Sequence, residues 1–391
     1  MFHKGSGFDV VIANPPYVFG GNKGITEHEK KIFKKLYLSG THKINLFAIF
    51  IERGTSLLKD NGFIAYITPN TLLRVTSYSN IREFIVNKTS IIEVMDLGVG
   101  IFDEVTASTI VISLINKKPD KNHLVSIKVN LSREDCNRKK QAGFANSGYV
   151  LDIFSTQQDE RVISKVKNNS IKLGTLAKYI RFGVVITHNI NDVVCYQKRN
   201  AMWKPFLEGD EIGAYAIRYS GRYLCYQKEM LHRSRTPEIF ESRKIMIQRI
   251  TGGQRPLKAA YDDGRYYNKE SIINLILLND DDDTYKYILG LLNSTLMNWI
   301  YNKLFTNESK LTVNLSKEYL SEMPIKQMKE NDKKAFVNAV NDMLAIKENE
   351  EYLQNPRAQT EVKVLERKID KMAYELYELS QDEIDIVEGR E

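Results

Sequence analysis

The segment FDVVIANPPYV (residues 8–18) sets an apolar, β-branched run directly against a polar loop with two consecutive prolines. The run reads as a strand. Pro15 and Pro16 end it, because proline has no N–H to give to a sheet. In open α/β sheets the loops at the carboxyl ends of strands are where ligands gather, so the position of Asn14 to Tyr17 marks them as candidate functional residues.

Working outward, INLFAIFIERGTSLLK (44–59) has apolar residues at helical spacing and stops before Asn61-Gly62. GFIAYITP (62–69), IIEVMDLG (91–98) and ASTIVISLINK (107–117) read as strands, with a helix over SNIREFIVNKT (79–89). Strand, helix, strand, helix, strand predicts a doubly wound α/β sheet. Past Lys117 the pattern loosens into strand-like HLVSIKVN and GYVLDIF and a polar stretch, RVISKVKNNSIKLG, read as a linker. A Gly-, Tyr- and Arg-rich region closes with one predicted helix, YKYILGLLNSTLMNWIYNKL (285–304). Leu289, Leu292, Leu296 and Trp299 form its core stripe. Two further helices and the short SQDEIDIVE end the chain. The expected segments are 1–120, 121–170, 171–325 and 326–391.

With 391 residues and 42% hydrophobic content, the chain has enough apolar material for two or three cores. No apolar run reaches the roughly 18 residues of a membrane span, and the cytoplasm is the expected compartment. Cys136, Cys195 and Cys225 form no Cys-x-x-Cys pair, and His28, His42, His188 and His232 have no ligand spacing, so no metal is expected. The net charge is +7 but unevenly placed. Residues 171–270 hold 18 Lys+Arg against 10 Asp+Glu, and residues 331–391 hold 9 against 15. A basic middle and an acidic tail are what a phosphate-facing segment followed by a solvated one would show.

The residue types of the loop suit one demanding reaction. The exocyclic amine of a base is a poor nucleophile because its lone pair is delocalised into the ring. Acceptors aimed at its two N–H bonds, here the Asn14 side-chain oxygen and the Pro15 carbonyl, would return that lone pair to nitrogen. Pro15 and Pro16 stiffen the loop. Tyr17 offers a face on which a base taken out of the duplex can stack. The alternative reading is a plain turn after a strand.

FDVVIANPPYV resembles the catalytic motif of amino-group DNA methyltransferases. The chain from there on resembles the gamma-class, adenine-specific branch found in type II and IIG restriction-modification enzymes with a TaqI-like C-terminal specificity domain. LLKDNGFIAYITPNTLL (57–73), WKPFLEGDEI (203–212), KIMIQRITGGQRPLKAAYDDGRYY (244–267), YILGLLNSTLMNWIY (287–301) and MAYELYELSQDEIDIVE (372–388) carry the likeness in order. LGVGIFDEVTASTIVISLINK (97–117) resembles the segment whose aromatic residue covers the other face of the flipped adenine, which falls on Phe102. The resemblance implies a partial Rossmann-like methyltransferase sheet, an α+β target-recognition domain and a helical C-terminal segment. It implies S-adenosylmethionine as methyl donor and double-stranded DNA as substrate.

In that family the cofactor is held by a Gly-rich strand-turn-helix ahead of Asn-Pro-Pro-Tyr, whereas only thirteen residues precede Asn14 here. The glycines of MFHKGSG lack that context. Most of the cofactor site is therefore expected outside this chain, on a longer enzyme or an N-terminal partner polypeptide. The FDVVIA strand is expected to present an unpaired apolar edge. Glu361-x-Lys363 resembles a nuclease element only superficially and is read as a solvated helix face, so no cleavage activity is expected.

For DNA, the candidates are Arg181, Arg218, Arg222, Arg233, Arg235, Arg243, Arg249 and Arg255, interleaved with Tyr215, Tyr219, Tyr223, Tyr226, Tyr266 and Tyr267. The loop RITGGQRP (249–256) stands out, because Gly252 and Gly253 allow close backbone approach between two arginines. Two other readings stay open: a DNA-recognition chain without activity of its own, and a methyltransferase acting on cytosine N4.

Overall fold

The computed structural model describes residues 7–18, 24–41, 43–98, 100, 108–129, 136–146, 148–168, 170–187, 189–306, 313–328, 330–348 and 350–390. The chain divides into two compact units, Met1–Ser155 and Thr156–Glu391.

The first unit is α/β. Its strands are β1 (Phe8–Ala13), β2 (Leu58–Pro69), β3 (Ser90–Gly98), β4 (Thr109–Ile115), β5 (Leu124–Lys128) and β6 (Cys136–Lys140), in the sheet order β1-β2-β4-β3-β5-β6. β1 runs parallel to β2 and β3 parallel to β5. β4 lies between β2 and β3, antiparallel to both. Alternating strand and helix signals predicted a doubly wound sheet but left β4's direction open. Residues 99–108 are too short a link for a helical crossover, so β4 turns back beside β3.

Three helices belong to this unit's layers: α1 (Glu27–Leu36), α2 (Leu46–Ser56) and α3 (Ser79–Lys88). α1, which the apolar pattern did not announce, is opened by a capping box between Thr26 and Glu29. α2 and α3 bury Phe47, Ile51, Ile81 and Ile85 against Ile64, Tyr66, Val94, Ile110, Ile112 and Leu114. At roughly 1.5–3 kcal/mol for each fully buried aliphatic or aromatic side chain, this face carries most of the unit's stabilisation.

The opposite face is built by the alternate residues. The registers Val10↔Phe63↔Ile115, Ile12↔Ala65↔Ser113 and Ile67↔Val111↔Met95 put these side chains in rows. The apolar rows stay open towards β1, where Phe8, Val10 and Ile12 are 50%, 52% and 74% exposed. Towards β5 the same face turns polar, with Glu93 and Lys128 in a 2.6 Å ion pair.

The second unit centres on an antiparallel sheet of Ala259–Asp262, Lys244–Gln248, Ile272–Leu277 and Ala177–Phe182, in that order. Its core also takes in the helices Asp282–Asn293, Thr295–Phe305, Glu330–Glu348, Pro356–Leu376 and Gln381–Glu388. The single helix predicted over 285–304 is two helices, because the Ser294 hydroxyl caps a new N-terminus by accepting from the Met297 N–H. Leu289, Leu292 and Leu296 are nonetheless fully buried. The stretch read as a linker is ordered. Helix Gln157–Lys167 buries Val162, Ile163 and Val166, and strand Ser170–Lys172 pairs with Pro324–Lys326. GYVLDIF, read as strand-like, belongs to no strand. Glu361 and Lys363 are exposed on helix Pro356–Leu376.

Candidate active site and nucleic-acid interface

β1 and β2 are parallel with Ala13 beside Tyr66, so the loop from Asn14 leaves the sheet at the same end as the Pro69 turn. Asn14 is exposed, and its amide has no hydrogen-bond partner among the described residues. Pro15 is buried, and its carbonyl accepts no hydrogen bond among the described residues. Two neighbouring acceptors at the end of a strand are thus without a donor among the described residues. Pro16 is exposed.

Tyr17 is half-buried with its ring against the helix-covered core. Its hydroxyl is buried with no hydrogen-bond partner among the described residues, and burial pushes its pKa up. The Val18 carbonyl accepts from the Leu46 N–H at 3.1 Å, which ties the loop to the start of α2. The preceding residue, Asn45, is buried. It caps α2 and donates to the Tyr78 hydroxyl at 3.4 Å, while Phe47 packs edge-on against Tyr78 with ring centres 4.9 Å apart. Phe102 lies outside the described residues.

The turn after β2 has its own clamp, which sequence reasoning missed. Arg82 of α3 is 2% exposed and donates to the carbonyls of Leu72, Val75 and Tyr149 at 3.1, 2.7 and 2.8 Å. Arg74 pairs with Asp152 at 2.6 Å. Burial would raise the Asp152 pKa, but Arg74, Lys139 and the Ser155 N–H outweigh it and hold the carboxyl below its usual value. No local signal announces partners that lie 67 or 78 residues away.

In the second unit the candidate arginines fall into two groups. Arg222 is committed to an internal network: it reaches Glu208 at 2.7 Å, Glu211 and Ser220, while Lys269 meets Glu208 at 2.8 Å. Arg255 bonds the Thr295 hydroxyl and meets Asp370 at 3.3 Å, and Arg243 meets Asp280 at 3.2 Å. By contrast Arg181 and Arg218 are exposed and have no ion pair among the described residues. Arg249 lies over the Phe182 ring at 4.6 Å. Gly253 is exposed with φ +80°, a left-handed conformation that favours glycine, while Gly252 is half-exposed. Among the described residues no cluster of His, Cys, Asp and Glu is placed to hold a metal, and no helix is long and apolar enough to cross a membrane.

Residues 1–102 match the family described as Eco57I restriction-modification methylase, and residues 204–325 match the TaqI-like C-terminal specificity domain. Two segments of the chain are thus similar to the two parts of restriction-modification methyltransferases, a methylase and a specificity domain. A provisionally named type II restriction enzyme and methyltransferase of Methanocaldococcus jannaschii is 26% identical over 396 residues, covering 96% of this chain and 31% of that relative. The adenine-specific methyltransferase BrxX of Escherichia coli O9:H4 (strain HS) is 32% identical over 103 residues, 26% of this chain and 8% of BrxX. The chain therefore spans less than a third of the length of either relative. Among solved structures, the type IIL restriction-modification enzyme MmeI in complex with DNA superposes with a TM-score of 0.64 at 13% identity, over 97% of this chain and 56% of MmeI. At that identity the likeness is one of fold.

Proposed function

We propose that this chain supplies the base-accepting half and the target-recognition unit of an adenine-N6 DNA methyltransferase of a restriction-modification system. The observation that carries the reading is the placement, at the carboxyl end of β1, of two neighbouring acceptors, the Asn14 amide oxygen and the Pro15 carbonyl, that have no donor among the described residues. They would accept from the two N–H bonds of an adenine amine and concentrate its lone pair on nitrogen. Pro16 holds the loop rigid. Tyr17, with Phe102, would stack on the flipped base. The named specificity of BrxX, and the order of motifs in the chain, support adenine over cytosine as the target.

S-adenosylmethionine would supply the methyl group. The described residues near Asn14 do not by themselves fit that donor: the acidic residue of β1, Asp9, lies at the strand's other end and pairs with Lys59 at 2.9 Å. We place most of the donor site on polypeptide outside this chain, which would cover the open edge of β1. That open edge also favours a second reading, in which the chain alone recognises DNA without methylating it.

The test joins the chain to the polypeptide encoded upstream and analyses the nucleosides of treated duplex DNA. N6-methyladenine that vanishes in the Asn14→Ala variant is the expected result; N4-methylcytosine would move the target. Micromolar binding of S-adenosylmethionine to this chain alone, by calorimetry, would refute the placement of the donor site.

A further inference from the structure

Segment 181–185 collects an unusual concentration of positive charge. Strand Ala177–Phe182 delivers Arg181 and Phe182, and the chain then runs through Gly183 flat against residues 268–270. The Val184 N–H donates to Asn268 O at 2.8 Å and the Glu270 N–H to Val184 O at 2.9 Å. A side chain at position 183 would collide with the Asn268 carbonyl. Val185 forms a bridge with Arg233, and Arg235 donates from Nε to Gly183 O at 3.2 Å. From the other side Arg249 lies over the Phe182 ring at 4.6 Å and donates to Glu270 O at 3.3 Å.

None of these four arginines has an ion pair among the described residues, unlike Arg222, Arg243, Arg255 and Arg265 of the same unit. Arg181, Arg235 and Arg249 each give one N–H to a main-chain carbonyl instead. They are thus held in place without a salt bridge to any described carboxylate. Burial, then Arg233 and Arg181, depress the Arg235 pKa, and Glu270 partly opposes them. Arg235 also sits at φ +66° with its carbonyl accepting from the Tyr226 hydroxyl at 2.6 Å, so local backbone strain is tolerated to hold it there. A guanidinium does not relieve such crowding by losing its proton. An anion does.

We propose that Arg181, Arg233, Arg235 and Arg249 form a phosphate clamp for the backbone of duplex DNA, distinct in role from residues that read base edges. The proposal rests on the DNA-recognition reading above and says which residues supply its electrostatic part. Guanidiniums suit this ligand because their paired donors match phosphate oxygens. Main-chain tethers on three of them set the positions of those donors before DNA arrives.

The test is the salt dependence of binding by the full chain to a random-sequence duplex, followed by fluorescence anisotropy. Each lost phosphate contact lowers the slope of log affinity against log salt by about 0.9. Arg233→Gln and Arg181→Gln, both at exposed positions, should each lower it by about that amount, and the double variant by about twice as much. Lys368→Gln, on the acidic tail's helix, should leave it unchanged. Unaltered slopes in Arg233→Gln and Arg181→Gln beside a binding parent overturn the clamp alone. So does a loss confined to one cognate sequence with random duplex unaffected, because that assigns the cluster to base reading. A parent chain that binds no duplex at any salt overturns the clamp together with the DNA-recognition reading. Unchanged thermal melting of the variants separates lost contacts from lost folding.

Discussion

Ile12 of β1 and Ala65 of β2 are register partners on the sheet face opposite the helices, and Ile12 is 74% exposed. With Phe8 and Val10 beside it, an edge strand and an apolar face meet at one corner of the first unit. Such a corner pairs with whatever strand it finds. The isolated chain is expected to self-associate with concentration, and Ile12→Lys to restore a monomer without lowering the melting temperature. Light scattering across a dilution series checks this, and a parent chain that stays monomeric at high concentration counts against it.

Tyr17 separates two roles of one side chain. Its hydroxyl is buried with no partner among the described residues, so Tyr17→Phe should be neutral or stabilising by up to about 1 kcal/mol and should leave methyl transfer by the reassembled enzyme within a few-fold. Tyr17→Ala removes the face itself. A base–aromatic stack contributes about 1–3 kcal/mol, so activity should fall about ten- to a hundred-fold. Equal losses in both variants, measured by methyl incorporation, would assign the role to the hydroxyl instead.

Lys244 and Asp262 form an ion pair buried at 0% and 1% side-chain exposure, in which Lys244 also donates to the Phe240 carbonyl. Lys244→Met leaves a buried carboxylate uncompensated and should destabilise the second unit by about 3–5 kcal/mol. Lys244→Met combined with Asp262→Leu should recover much of that. Urea unfolding of the three chains measures both steps.

Asp152 gives the first unit an acid-sensitive element. Its folded pKa is lowered, so its contribution is present above the unfolded carboxylate's value of about 4 and is lost as the pH falls through the lower folded value. The stability difference between the parent and Asp152→Asn should therefore be full at neutral pH and shrink on acidification below about pH 4. A difference that stays constant down that range would mean that the ion pair with Arg74 contributes little.

The strands Phe8–Ala13 and Thr109–Ile115 were legible because composition and the flanking prolines and lysines mark them, whatever their neighbours. The direction of Thr109–Ile115 was not, since it depends on which strand the turning chain meets. The split at Ser294 was hidden because Leu289, Leu292 and Leu296 keep helical spacing across it, and one hydroxyl decides the break. In the candidate site, Asn14 to Tyr17 announced themselves by residue type, whereas the division among the arginines could not be read. Arg222 and Arg233 look alike in one dimension. Glu208 and Glu211 engage the first, and no carboxylate pairs with the second among the described residues.

Asp370 accepts from the Thr295 N–H at 2.7 Å and from its hydroxyl at 2.6 Å, Lys165 pairs with Glu383 at 2.7 Å, and the Tyr377 hydroxyl donates to Pro324 O at 3.0 Å. These bonds bind the final helices into the same core as the specificity segment. A chimaera meant to exchange the segment that matches the specificity domain must therefore carry Thr156–Glu391 as one cassette. A graft cut at residue 325 would expose Leu320, Met323 and Ile325 and strip Thr295 of its acceptor.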